Sequence, residues 1–145
     1  VRTNLAIEDL GGLLDERRVA VLATYRRDGT VLLSPVWHEW HDEGFNVWVL
    51  AGNVKERHLR RDPRASILVA ESDPPLRGIE LRTIARLITD GAQETARRIA
   101  ARYIGAAQGA DYVASSGGHD VIVRLEPSDV ADVRAWDFAD DFGTT

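Results

Sequence analysis

Between residues 18 and 51 the chain has to reverse direction twice within a few residues, and that requirement limits the fold more than anything else in the sequence. Residues 18–25 are rich in Val, Leu and Ala and read as a strand. Arg27-Asp28-Gly29 follows as a tight hairpin turn, since glycine accepts a positive φ at no steric cost. Residues 30–41 form the returning strand, Asp42-Glu43-Gly44 turns the chain again, and residues 45–51 form a third strand. Turns this short leave no room for a crossover connection, so the three strands run antiparallel as a meander.

The rest of the chain extends this pattern. Ile7, Leu10 and Leu14 share one face of an expected helix over residues 5–15, capped by Thr3 or Asn4, although Gly11 and Gly12 weaken it by about 1 kcal/mol each. Gly52-Asn53 breaks the third strand, a short helix spans residues 54–61, and Asp62-Pro63 stops it. A fourth strand covers residues 64–71. A long fifth strand covers residues 77–89, where Ile79, Leu81, Thr83, Ala85 and Leu87 alternate with Glu80, Arg82 and Arg86. Asp90 is expected to cap a helix over 91–104, with residues 105–118 irregular and rich in small side chains. Residues 120–125 make a sixth strand, and residues 130–136 a seventh or a continuation of it. Residues 1–138 form one domain, and residues 139–145 a flexible acidic tail. Antiparallel strands with few helices imply a barrel or closed sheet, because closure removes exposed edges.

Composition excludes several classes of function. The chain has no cysteine, which removes disulfides, thiolate nucleophiles and cysteine-ligated metals. It has no apolar run of about 18 residues and no signal-peptide core in residues 1–10, so it is read as cytoplasmic, with no membrane partner. The net charge of −5 argues against nucleic acid as a partner.

Against that acidic background, residues 52–64 (GNVKERHLRRDPR) stand out. They carry Lys55, Arg57, Arg60, Arg61 and Arg64 against Glu56 and Asp62. Of the 18 basic residues in the chain, Lys55 alone is lysine. It is either a chance survivor or a site where a compact ammonium is wanted in place of a planar guanidinium. A Gly-Asn break leading into a helix offers free backbone N–H groups, which together with the helix dipole and Lys55 suit a phosphate. The competing reading is a solvated helix face with Arg60 or Arg61 paired to Asp62.

The second strand, TVLLSPVWHEWH, contains Pro35, which removes a ladder donor and places this part at an edge or a bend. A bent strand leaves backbone groups free for a planar ligand. Taken singly, Trp37 and Trp40 read as core or interface aromatics. His38 and His41 lie three apart, on opposite faces of a strand, and cannot converge on one metal ion. His58 and His119 have no paired ligand in sequence, and the common nucleophile-elbow, phosphate-loop and dinucleotide fingerprints do not occur. Near the C-terminus, Arg134 and Trp136 share a strand face. They either cover a flat ring by stacking and cation–π contact or plug the barrel end.

Three runs resemble the pyridoxamine-phosphate-oxidase-like split barrels, and within them the branch of F420-dependent reductases. These are KERHLRRDPRASILV (residues 55–69), VAVLATYRRDGTVLLSPVWHEW (residues 19–40) and GIELRTIARLITD (residues 78–90). The resemblance covers residues 5–90 well and the remainder loosely. It implies a mainly β (α+β) fold, a six-stranded antiparallel split β-barrel with peripheral helices. It also implies a homodimer with two cofactor sites at the subunit interface. By the same resemblance Lys55 contacts a cofactor phosphate, helped by Arg57 or Arg61, and Ser34, Pro35 and Val36 line the ring system. Ala51, Gly52 and Asn53 lie beside the ribityl chain, and Trp136 approaches the ring from the partner subunit. The segment with which the true oxidase binds its substrate phosphate is not found. The function expected is that of an oxidoreductase using deazaflavin F420, or FMN as the close alternative, for hydride transfer to a small-molecule acceptor. A non-catalytic carrier of the same cofactor is a second reading, and a nucleic-acid-binding barrel a third.

Overall fold

The computed structural model describes residues 1–142. Nine strand segments form two antiparallel sheets. The segments are β1 (Ala20–Tyr25), β2 (Val31–Val36), β3 (His38–Trp40), β4 (Phe45–Leu50), β5 (Arg64–Ala70), β6 (Gly78–Ile84), β7 (Arg86–Ile88), β8 (Asp120–Leu125) and β9 (Asp132–Trp136). One sheet has the order β2-β1-β5-β6-β9, the other β3-β4-β8-β7. The chain therefore belongs to the α+β split-barrel class expected, with more strand segments than six.

The extra segments have a physical origin. The long strands expected over 30–41 and 77–89 each pass from one sheet to the other, at Trp37 and at Ala85. At the second crossing the Ala85 N–H leaves the ladder and donates to the Pro63 carbonyl at 2.8 Å. Two strands shared in this way close the sheets into a barrel. Pro35 lies on β2, an edge strand, where its missing donor costs the ladder nothing.

The barrel core follows the period-2 pattern. Ala20, Leu22, Ala65, Ile67, Val69, Ile79 and Leu81 point inward from one sheet, and Val47, Val49, Val121, Val123 and Leu125 from the other. All six residues of β8 are buried, because its second face is covered by helices. The expected first helix is instead two 3₁₀ turns, Ile7–Leu10 and Leu13–Asp15, separated at Gly11, which takes φ +60°. Its apolar residues still go inside: Leu10, Leu13 and Leu14 are buried against the barrel.

Three helices flank the barrel: α1 (Val54–Arg61), α2 (Ala92–Ile104) and α3 (Ala106–Ala114). The boundaries of α1 and α2 match expectation, but α2 starts from Gly91 in a left-handed conformation without a side-chain cap from Asp90. Helix α3 occupies the stretch expected to be irregular. Its small residues serve close packing: a Cβ on Gly109 would sit 2.9 Å from the Ala101 backbone N, so the two helices approach backbone to backbone. At the C-terminus, where a loose tail was expected, α4 (Ala139–Phe142) makes one further turn, while residues 143–145 lie outside the described residues. No helix among the described residues is long and apolar enough to cross a membrane.

Candidate functional site

A cleft of about 400 Å³ opens between the β2–β3 bend, the end of β4, the start of α1 and the end of α3. Its cationic end is made locally. Gly52 takes φ +82° to turn the chain off β4. Asn53 then caps α1, its side-chain oxygen accepting the Lys55 backbone N–H at 2.9 Å. Asn53 and Lys55 both line the cleft. The Lys55 ammonium is partly buried, and the loss of solvent alone lowers its pKa from the ordinary lysine value. It has no carboxylate partner among the described residues, so the fold holds a partly buried cation at the positive end of a helix dipole.

The surrounding arginines divide into two sets. Arg60 pairs with Glu56 at 2.7 Å and Arg64 with Asp62 at 2.7 Å. The carboxylate of Asp62 thus serves Arg64, where the solvated-face reading pairs it with Arg60 or Arg61. Arg57 and Arg61 have no carboxylate partner among the described residues, and Arg61 donates to the Tyr25 carbonyl. Arg26, from the β1–β2 turn, joins them around His58. The pKa of that buried imidazole is lowered first by burial and then by the charges of Arg61, Arg26 and Arg57, and its Nδ1 lies 3.0 Å from the Thr24 hydroxyl.

The other end of the cleft is aromatic and comes from separate parts of the chain. Trp37 stacks on Tyr103 with centroids 4.9 Å apart and planes 5° from parallel. Tyr112 meets Trp37 at 5.8 Å and Trp48 edge-on at 5.5 Å. Tyr103 is fixed from behind: its hydroxyl donates to the Arg18 carbonyl at 2.8 Å and lies 3.1 Å from His38 Nδ1. His38 is fully buried, and burial, reinforced by Arg102 and opposed by Glu39, lowers its pKa to about 4. Ser115 and Ser116, at the end of α3, complete this wall.

Of the residues expected at the site, Pro35, Val36, Asn53 and Lys55 line the cleft. Ser34 points into the barrel and is buried. Ala51 and Gly52 form the exposed turn beneath Asn53. Arg57 and Arg61 are exposed on α1, outside the cleft. Trp136 ends β9, at the opposite edge of its sheet from β2, and lines a separate hollow with Thr3, Asn4 and Arg134. Within one chain it does not reach the cleft. Trp48, Leu50, Tyr112, Ser115 and Ser116 were not expected there, and Trp37 was read as core or interface. Alternation on β4 places Trp48 and Leu50 on the face away from the barrel core, a signal available in the sequence. Tyr112 carries no such signal, because its position depends on how α3 packs.

A closed pair of antiparallel sheets sharing two bent strands, with a cleft between an outer strand face and a helix N-terminus, defines a split-barrel protein. The family model of pyridoxamine 5'-phosphate oxidase matches residues 8–134, and the chain belongs to that family. No curated protein matches it. Among solved structures it is similar to a conserved hypothetical protein of Mycobacterium tuberculosis, with 24% identity, a TM-score of 0.78, and 92% of this chain and 86% of that one covered. It is also similar to an F420 reductase, at 23% identity and a TM-score of 0.65 over 83% of this chain and 94% of that one. A FAD-binding protein of Mesorhizobium loti aligns at 18% identity with a TM-score of 0.66, covering 93% of this chain and 97% of that one.

Proposed function

We propose that this chain is an oxidoreductase that holds deazaflavin F420, in preference to FMN, in the cleft and works on a small-molecule acceptor. The single observation that carries the reading is Lys55: the one lysine of the chain, partly buried, without a counter-ion among the described residues, at the capped start of α1 and facing a cleft with an aromatic far end. A phosphate suits that end, since Lys55 lines the cleft beside the positive end of the α1 dipole. A flat ring fits the other, between the Pro35–Val36 bend and the Trp37–Tyr112–Trp48 wall. When bound, the cofactor supplies the hydride chemistry. The side chains of the chain bind and orient it and keep water from its ring, and His38, held neutral, braces Tyr103 behind Trp37.

F420 is preferred over FMN because Arg26, Arg57 and Arg61 extend the positive surface beyond Lys55, which suits a ligand with a further acidic tail. The working unit in this reading is a homodimer. The outer face of the five-stranded sheet exposes Val31 and Leu33 on β2 and Leu68 on β5, beside Pro35 at the cleft, while its β6–β9 side carries the Arg82–Asp132 and Glu80–Arg134 ion pairs. Exposed apolar side chains at an edge, rimmed by ion pairs, suit a protein contact, and in this reading Trp136 enters the partner's cleft across that face. The carrier reading shares this site and differs only in the absence of turnover.

Titration of the purified protein with F420, FMN and an oligonucleotide, followed by absorbance and fluorescence, tests the reading. F420 binds most tightly and the oligonucleotide does not compete. Lys55→Ala weakens F420 by about 1.5–3 kcal/mol, the value of a charged hydrogen bond. Unchanged affinity in that variant rejects the assignment. A bound coenzyme that passes electrons to no acceptor moves the protein to the carrier class.

A further inference from the structure

Asp120 is the first residue of β8, a strand buried along its whole length. Its cross-strand neighbour is Leu50, and Trp48 pairs with Ile122 two residues further on, so Asp120, Leu50 and Trp48 share the strand face that looks toward the cleft. The side chain is 6% exposed. Oδ1 accepts the Trp48 indole N–H at 2.8 Å and lies 3.0 Å from the Ser116 hydroxyl at the end of α3. That hydroxyl also lies 2.6 Å from the Val113 carbonyl and, with one proton, donates to one acceptor at a time. Oδ2 has no partner among the described residues.

A buried carboxylate with one oxygen unpartnered is costly. An apolar residue would fill the same place on this strand without that cost. Asp120 does, however, touch both walls of the cleft at once: Trp48 on β4 and Ser116 on α3. We infer that Asp120 is a positioning residue for the cleft, fixing the plane of the Trp48 ring against the end of α3 and so the spacing of the aromatic walls that grip a flat ring. The inference rests on the cofactor reading for the identity of that ring, but the link between Asp120 and Trp48 stands apart from it.

The test uses Asp120→Ala, Asp120→Asn, Trp48→Phe and the double variant Trp48→Phe/Asp120→Ala. Each is titrated with F420, FMN and inorganic pyrophosphate, and each gives a ligand-free indole N–H spectrum in which Trp48→Phe assigns the Trp48 signal. Asp120→Ala shifts that signal and weakens the coenzyme roughly five-fold, a coupling of the size expected for side chains in contact. Asp120→Asn keeps a carbonyl acceptor and stays within about two-fold, and Asp120→Ala adds nothing once Trp48 is Phe. Pyrophosphate, which reaches only the Lys55 end, binds all the variants alike. Unchanged coenzyme affinity in Asp120→Ala overturns the inference, and so does an Asn variant as impaired as the Ala one. If Asp120→Ala does not fold, Trp48→Phe decides, and wild-type affinity there overturns it. If neither coenzyme binds the unaltered protein, the cofactor reading fails, and the spectrum decides: a Trp48 signal unmoved by Asp120→Ala overturns the positioning role, a moved one supports it.

Discussion

The two ends of the cleft are built in opposite ways. The cationic end comes from consecutive residues: Gly52 turns the chain, Asn53 caps α1, and Lys55 stands in the first turn. The aromatic end assembles Trp37, Trp48 and Tyr112 from a strand bend, a second strand and a packed helix, with Tyr103 and His38 bracing it from within. A locally encoded end tolerates distant change, since its geometry depends on one turn and one cap. An end assembled from remote segments inherits every strain in the packing between them.

Acid is the sharpest way to separate the two. His38 has a folded pKa of about 4 against an ordinary 6.5, so between these values the unfolded chain takes up a proton that the folded chain refuses. The stability this contributes is complete above pH 6.5 and is lost as pH falls toward 4, by about 3 kcal/mol. Urea unfolding at a series of pH values shows that slope. His38→Asn, which places a polar atom where Nδ1 meets Tyr103, flattens it. An equal slope in both proteins breaks the comparison, because the aromatic end would then have no acid-labile support. His58 on α1 also has a lowered pKa and adds to the slope of both proteins, so the difference between them isolates His38.

Overpacking of α3 is the next largest effect. Gly109→Leu forces a side chain against the Ala101 backbone and lowers unfolding stability by about 2 kcal/mol. It also displaces Tyr112 from the cleft while pyrophosphate affinity at the Lys55 end is retained. Loss of both affinities together would show that the two ends are one unit. Asn53→Ala removes the α1 cap, which lowers stability by about 1 kcal/mol. It also weakens pyrophosphate more than it disturbs the indole spectrum of the aromatic end. The smallest effect belongs to the outer arginines. Arg57→Ala with Arg61→Ala leaves the melting temperature within error and FMN affinity unchanged, but weakens F420 by about 0.5–1 kcal/mol, most clearly at low salt. An equal effect on both coenzymes removes the argument for a further acidic tail.

The same contrast accounts for what was legible in advance. The meander, α1 with its boundaries, and the chemistry of Asn53 and Lys55 all follow from contacts among neighbours in sequence. Turn residues, a cap and alternating side chains act over two to four positions, and such interactions are written where they occur. The family runs around Lys55 and Pro35 added the barrel, which the match over residues 8–134 bears out. Pro35 marked an edge or bend close to Trp37, but that the chain changes sheets there and again at Ala85 was not legible, because a strand that changes partners keeps the same period on both sides of its bend. Helix α3 was not legible either. The glycines of residues 105–118 interrupt the helix signal of the alanines among them, and the stretch becomes helical where Gly109 lets two backbones pack closely. The sequence alone therefore determined the capped start of α1 and the place of Lys55 in its first turn. Only the tertiary structure decided which aromatic rings line the cleft, since burial and packing between distant segments, with no local preference to announce them, bring Trp37, Trp48 and Tyr112 together.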